Sequence, residues 1–164
     1  MCRIQDHVIR QRHNLVTERI IHHSCQRLAA HLSIEQVRFE DRLKVRIVPT
    51  AALSEVLVPH MVLQPIVENA VRHGLGQSEE AVTIEVAASS NNGALRLMVS
   101  DDGPGLLSAA PGHSGIGLAN TRNRLVRLYG DNASLTVEQA TMRGVRVTIT
   151  LPMRTVAPEG EACN

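Results

Sequence analysis

The stretch from Leu97 to Asn120 constrains this chain most, because an apolar strand runs into an acidic residue and then into two glycine clusters. The clusters contain Gly103 and Gly105 in the first, and Gly115 and Gly117 in the second. Glycines let the main chain approach a phosphate closely, and a helix starting near Gly117 offers unpaired N–H groups to an anion. Asp101, at the end of the strand, is placed to accept a hydrogen bond from a purine amine. The pattern predicts a nucleotide pocket built largely from backbone.

Two better-known phosphate motifs do not match these glycines. The Walker pattern G-x-x-x-x-G-K-[ST] is absent, and a dinucleotide fingerprint read from Gly103 has Ser108 where its third glycine belongs. Glycines at such positions are also common in ordinary turns and loops that bind no ligand. The clusters alone therefore leave both interpretations open.

The segment Pro59–Gly74 predicts a helix with one apolar and one polar face. The apolar positions are Val62, Leu63, Ile66, Val67 and Ala70, and the polar face carries Gln64, Glu68 and Arg72 in one row with Asn69 and His73 beside it. We expect Pro65 in the first turn or at a kink, and Gly74 at the end of the helix. A helix with an ordinary solvated face and a Glu68–Arg72 ion pair would show the same sequence pattern. The functional interpretation is a carboxylate beside an amide, able to position water and to complete the oxygen shell of a Mg²⁺ held by phosphates.

Taken together, the motifs resemble a known family. In chain order they are Glu68-Asn69-Ala70, Asp101-x-Gly103-x-Gly105 and Gly115-x-Gly117-Leu118. They resemble the N, G1 and G2 boxes of the GHKL ATPases, which include gyrase, MutL, the heat-shock chaperones and the sensor histidine kinases. Residues 63–74 and 115–130 are closer still to the LytS-type bacterial sensor kinases. Glu35, Arg38, Phe39 and Arg42-Leu43 fit the upstream segment of the same branch, so that the resemblance covers about residues 17–152.

The resemblance implies an α/β two-layer sandwich, the Bergerat fold, with a mixed, largely antiparallel sheet and helices on one face. It implies an ATP-binding catalytic domain over residues 17–152, preceded by a disordered or artificial lead-in (1–16) and followed by a flexible tail (153–164). The residues themselves predict the elements in more detail. These are a helix from Thr17 to about Phe39, a strand Val45–Val48, an extended connector Leu53–Pro59, a hairpin of Val82–Val86 and Leu95–Ser100 across Asn91-Asn92-Gly93, a mobile lid over Leu106–Ser114, a helix Gly117–Tyr129 capped by Gly130, and strands Ser134–Glu138 and Val145–Leu151.

The resemblance also implies ATP and Mg²⁺ as ligands and gives the site residues their roles. Asn69 would bind Mg²⁺ through the ATP phosphates, Glu68 would orient or deprotonate the attacking group, and Asp101 would select adenine. The ATP-binding residues would be Asn69, Arg72, His73, Asp101, Gly103, Gly105, Gly115, Ile116, Gly117, Leu118, Asn120 and Arg124. For Asn120 and Arg124 a phosphate contact and simple solvation of the helix are equally good interpretations.

The implied reaction is transfer of the γ-phosphoryl group of ATP to a histidine outside this chain, and from there to a response regulator. The acceptor motif of the LytS branch, similar to Asn-Pro-His-Phe-Leu-Phe-Asn, is absent, so we interpret His22, His23 and His31 as surface or packing residues. The chain would then be a catalytic domain cut from a longer protein, and that full-length protein is a candidate homodimer. The alternatives are a GHKL ATPase, an anti-sigma-type protein-serine kinase, or a nucleotide-binding regulatory module without catalysis.

One position departs from the family. Gly144-Val145 stands where the family usually has Gly-Thr, whose hydroxyl helps the aspartate to hold adenine through a bound water. Valine is nearly isosteric with threonine but cannot form a hydrogen bond. We therefore expect weaker nucleotide affinity, not its loss.

Composition excludes several other classes. The chain of 164 residues has a net charge of +1 and only one Tyr, one Phe and no Trp, which gives no basis for nucleic-acid binding. The three cysteines show no C-x-x-C spacing, so neither a disulfide framework nor a zinc site is indicated. No apolar run approaches the ~20 residues that a membrane span needs. We expect a cytoplasmic fragment without membrane contact, while its full-length parent is a candidate for membrane anchoring.

Overall fold

A computed structural model describes residues 18–48, 53–76, 80–105, 116–141 and 143–156. The elements are β1 (Glu18–Ile20), α1 (Ile21–Phe39), β2 (Leu43–Val48), β3 (Leu57–Pro59), α2 (Gln64–Gly76), β4 (Val82–Asn91), β5 (Ala94–Asp101), α3 (Ile116–Tyr129), β6 (Ser134–Gln139) and β7 (Val145–Pro152), with short 3-10 turns after α1 and α3. The predicted lead-in and lid lie outside the described residues.

The main sheet has five strands in the order β2-β4-β5-β7-β6, in which only the β2–β4 pair is parallel. Apolar side chains alternate along each strand, and the register places Val86 opposite Val99 and Val99 opposite Val147. Because successive side chains point to opposite faces, these residues form one apolar face. It shares a single core with the buried side chains of the three helices. The prediction of a mixed, largely antiparallel sheet covered by helices on one face is confirmed.

The predicted hairpin is present and connects β4 to β5. Asn92 (φ 49°) and Gly93 (φ 75°) form its two-residue turn, and Asn91 lies opposite Ala94. Positive φ at both central positions is what a tight hairpin turn requires, and Asn-Gly supplies it at low cost. This hairpin brings the end of β5 to the predicted pocket.

The first predicted helix was placed too early. Residues 18–20 form strand β1, which pairs antiparallel with β3, and the helix begins only at Ile21. The predicted extended connector accordingly ends in β3. Each of these strands has three residues, which is too short for the sequence periodicity to identify a strand. Each forms because the other supplies its hydrogen-bond partners.

Gly74 does not end α2, which continues to Gly76. A Cβ atom at position 74 would lie 2.8 Å from Cγ1 of Val82, so this glycine allows the helix to lie close against the sheet. Pro65 lies in the first turn, as predicted.

The residues that follow β7 are hydrogen-bonded to the rest of the domain as far as residue 156. Met153 N–H donates to the carbonyl of Gly93 (2.8 Å), and Leu57 N–H donates to that of Arg154 (2.7 Å). In the described part of the chain, no helix is both long and apolar enough to cross a bilayer.

Candidate nucleotide-binding site

Asp101 ends β5 on the face that packs against the helices. It continues the buried row of Leu95, Leu97 and Val99, since every second residue of a strand lies on the same face. Its exposed fraction is 7%. The strand therefore carries a carboxylate into the apolar interior at the mouth of the site.

The carboxylate of Asp101 is held by main-chain donors. The N–H groups of Gly103 (3.1 Å) and Val145 (3.3 Å) both donate to Oδ1. Among the described residues, none donates a hydrogen bond to Oδ2. Burial raises the pKa of Asp101, while these two hydrogen bonds and the nearby His73 act in the opposite direction. One oxygen is thus fixed and the other can accept a hydrogen bond from a ligand.

His73 lies on the polar row of α2, near Asp101. Its Nε2 atom is buried and has no hydrogen-bond partner among the described residues. Buried polar atoms are almost always paired, so an unpaired ring nitrogen marks a place that a polar ligand atom would satisfy. The structure thus brings together two of the predicted ligand contacts, from α2 and from β5.

Gly103 makes the contact between the first glycine cluster and α2. A Cβ atom at position 103 would lie 2.7 Å from the Cα of Gly74 and 3.0 Å from Oδ1 of Asp101. The loop after β5 can therefore lie against the helix only without a side chain at this position. Gly105 follows with φ 87° and lies beside Gln139 of β6.

Gly144 belongs to the same site, although it was not among the predicted site residues. Its φ is 87°, and a Cβ atom here would overlap the carbonyl group of Asp101. This close approach lets the next N–H group, that of Val145, reach the Asp101 carboxylate. One sequence signal could have identified Gly144, namely its position directly before the strand predicted from Val145.

Glu68 and Arg72 lie in a different place, on the side of α2 that faces α1. With His31, Glu35 and Arg38 of α1 they line a groove of about 440 Å³. Oε1 of Glu68 accepts a hydrogen bond from Gln64 Nε2 (2.9 Å) and lies 3.7 Å from His31 Nε2. The polar face of α2 is therefore divided, with His73 towards Asp101 and Glu68 towards α1. Asn69, between them in sequence, is half-buried.

The start of α3 lies against the start of α2. A Cβ atom at Gly117 would lie 3.9 Å from Cβ of Pro65, and a cavity of about 220 Å³ between the two helices is lined by Asn120 and Arg124, among others. Nη1 of Arg124 donates a hydrogen bond to the carbonyl of His60 (2.5 Å). Leu118 packs partly buried against the core, and Ile116 is the first residue of α3. Gly115 lies outside the described residues.

Within the described ranges, no group of three or more His, Cys, Asp or Glu residues could hold a metal ion. A metal at this site would need ligands from a bound molecule, which agrees with an amide such as Asn69 acting together with phosphate oxygens.

The fold is of the α/β class, and its buried, backbone-held carboxylate is of the kind that a nucleotide-binding domain requires. The sequence profile of the histidine kinase-, DNA gyrase B- and HSP90-like ATPases matches residues 55–155, and the chain belongs to this family. The matched range contains both α2 and the loop after β5. Family membership implies ATP binding.

Similar proteins agree with this assignment. The chain is 32% identical to the sensor histidine kinase YesM of Bacillus subtilis over 127 residues, which are 76% of this chain and 22% of YesM. It is 30% identical over 145 residues to the sensor protein LytS of the same organism, covering 82% of this chain and 24% of LytS. The chain thus spans about a quarter of the length of these relatives. The predicted resemblance to LytS-type kinases is confirmed.

The fold is shared with a solved structure, the mycobacterial sensor histidine kinase MprB. The TM-score is 0.59 at 18% identity, over 85% of this chain and 98% of that one. The predicted fold class is confirmed by this likeness and by the five-stranded sheet.

Proposed function

We propose that residues 17–152 form the ATP-binding catalytic domain of a two-component sensor histidine kinase. The domain would transfer the γ-phosphoryl group of Mg·ATP in the cytoplasm to a histidine outside this chain, from which it passes to a response regulator. The observation that carries the proposal is the buried Asp101 carboxylate, with one oxygen held by two N–H groups and the other without a described donor. The relatives named as sensor kinases support it.

Asp101 would select adenine over guanine by hydrogen-bond polarity. The ionised carboxylate is an acceptor only, so it matches the exocyclic amine of adenine and opposes the carbonyl oxygen of guanine at the same place. Its burial strengthens this discrimination, because an unpaired buried acceptor is costly. The unpartnered Nε2 of His73 is the second polar atom that the nucleotide would satisfy.

The remaining predicted roles are proposals of the same kind. Asn69 would bind Mg²⁺ through its side-chain oxygen, and Glu68 would orient or deprotonate the attacking histidine. The glycines at 103, 105, 115 and 117 would leave room for the nucleotide, together with Ile116, Leu118 and Asn120. Arg72 lies in the groove towards α1, so the phosphate contact predicted for it would need a phosphate that extends from the Asp101 pocket into this groove. Catalysis of this kind comes mainly from positioning and charge neutralisation.

The product of the reaction distinguishes this function from two others. An ATPase releases free phosphate, whereas an anti-sigma-type kinase forms an acid-stable phosphoserine. A histidine kinase forms an acid-labile phosphohistidine. The test has two stages: calorimetric titration of this chain with Mg·ATP and Mg·GTP, and then acid treatment of the phosphorylated full-length kinase that carries the domain. Adenine-selective binding and an acid-labile product are expected; binding without any phosphotransfer would indicate a regulatory module.

Val145→Thr is expected to tighten ATP binding by about 2- to 10-fold, the equivalent of one hydrogen bond of about 0.5–1.5 kcal/mol. Val145 already contacts Asp101 through its N–H group, so the new hydroxyl would stand beside the carboxylate that binds adenine. The measurement is the calorimetric Kd for Mg·ATP. Val137→Thr on β6 is the matched control and should leave Kd unchanged; an unchanged Kd in Val145→Thr would refute the prediction.

Asn69→Ala is expected to remove the Mg²⁺-dependent part of ATP affinity and to abolish phosphotransfer. The reason is that the amide would be the protein's only direct metal ligand among the proposed site residues. Kd for ATP should therefore be the same with Mg²⁺ and with a chelator. Asn123→Ala, an exposed amide on α3, is the control and should keep the Mg²⁺ dependence. Full Mg²⁺ dependence in Asn69→Ala would contradict the assignment.

A further inference from the structure

Arg124 connects α3 to the turn that precedes α2, and these are the two helices that would hold the nucleotide. It projects from α3, one turn after Asn120, and its guanidinium group donates to the main-chain carbonyl of His60, just before α2. The same two helices approach each other again where Gly117 lies against Pro65. A single side chain thus links the helix that follows the second glycine cluster to the turn that starts the Glu68-Asn69 helix.

The turn that Arg124 holds is conformationally strained. Met61 adopts φ 57°, a left-handed conformation that is unfavourable for every residue with a Cβ atom. The turn is closed by a hydrogen bond from Val62 N–H to the carbonyl of Pro59 (3.2 Å), and α2 begins two residues later. Such a conformation persists only when its surroundings hold it, and the Arg124 bond acts at the carbonyl directly before Met61.

We propose that Arg124 is a positioning residue for the phosphate and metal end of the site, and that it does not itself contact phosphate. Through the His60 carbonyl it would fix the first turns of α2 against α3, and so place Asn69 relative to Gly117. This replaces both interpretations that the sequence left open for Arg124, a direct phosphate contact and simple solvation of the helix. The inference rests on the proposed function.

Arg122 provides a matched control for the test. It lies on the same helix, and its guanidinium group also donates to a main-chain carbonyl, that of Leu135 in β6 (3.2 Å). Arg122→Met and Arg124→Met therefore remove the same kind of bond from the same helix. Only the second of these bonds joins α3 to the turn that precedes α2.

The experiment measures Kd for Mg·ATP, Mg·ADP and adenosine by calorimetry or NMR titration, with the Tm of each variant. We expect Arg124→Met to weaken binding of Mg·ATP and Mg·ADP alike by about tenfold, the order of effect of one partly buried hydrogen bond from a charged group. Adenosine should bind as in the wild type, because His73, near the far end of α2, and Asp101 of β5 are not displaced. Arg122→Met should bind all three ligands as the wild type does.

Other outcomes would overturn the inference. A loss confined to Mg·ATP would indicate direct contact of Arg124 with the terminal phosphate. Equal loss in Arg122→Met, or no loss in Arg124→Met, would show that the bond has only a general structural role. If Arg124→Met fails to fold, Arg124→Lys replaces it and should show a smaller loss with the same pattern. A wild-type chain that binds no Mg·ATP would instead refute the proposed function.

Discussion

Asp101→Asn is expected to abolish ATP binding and to leave the free domain at least as stable as the wild type. The amide oxygen of asparagine can accept the N–H groups of Gly103 and Val145 in place of Oδ1. Its NH₂ group would then stand where the second carboxylate oxygen was. It would meet the adenine amine as donor against donor, so we expect at least a 100-fold loss of affinity, about 2.7 kcal/mol or more.

The stability half of this prediction follows from the pKa of Asp101. Burial raises the pKa in the folded state, so the charged carboxylate disfavours folding at pH values above that raised pKa. Asparagine removes this cost. The Tm of Asp101→Asn at pH 7 should equal or exceed that of the wild type, by up to about 4 °C for each kcal/mol regained. The difference should vanish below the unfolded pKa, where aspartate is neutral in both states.

The control is Asp102→Asn, one residue further along the chain. Asp102 is exposed and accepts a hydrogen bond from Thr83 N–H (2.6 Å), outside the proposed adenine contact. It should bind ATP as the wild type does. A clear fall of Tm in Asp101→Asn, or retained ATP binding, would show that the carboxylate serves folding and not ligand recognition. Calorimetric titration at pH 7 and thermal denaturation between pH 3 and 8 provide both readouts, since the lower limit lies below the unfolded pKa of aspartate.

The parts of this molecule that the sequence predicted are those determined by local rules. Asn92-Gly93 is a turn because of its own φ preferences, and Asp101 lies at the end of a strand whose alternation is visible in the sequence. The apolar face of α2 follows from its periodicity in the same way. These features are enough to predict the hairpin, the buried face of α2 and the position of the carboxylate at the end of a strand, but not its burial.

The features that the sequence missed depend on contacts between distant segments. Gly74 was interpreted as a helix end, since nothing local shows that Val82 packs against it. The β1–β3 pair was missed for the same reason, because its two strands are far apart in sequence. Arg124 is one of several arginines on α3, and its partner, the His60 carbonyl, is 64 residues away. Such interactions involve main-chain atoms, which carry no residue-specific signal.

Gly144→Ala is expected to destabilise the domain by more than about 4 kcal/mol, the range reached when a side chain has no space. Two costs add at this position. Its φ of 87° disfavours any side chain, and the new Cβ atom would overlap the Asp101 carbonyl and lie 2.8 Å from the Cα of Asp102. Both contacts are main-chain atoms of the pocket, so relief requires β5 and β7 to separate. The Tm should fall by at least about 10 °C, with ATP binding lost.

Gly93→Ala separates these two costs. Gly93 has a similar φ of 75°, but a Cβ atom there meets nothing within 4 Å. It should therefore lose only the conformational part, about 1–2 kcal/mol, and bind ATP normally. If both variants lost the same stability, the close approach of Gly144 to Asp101 would be irrelevant. A larger loss in Gly144→Ala shows that the main chain at Asp101 and the start of β7 must touch, since that contact brings the Val145 N–H group to the carboxylate.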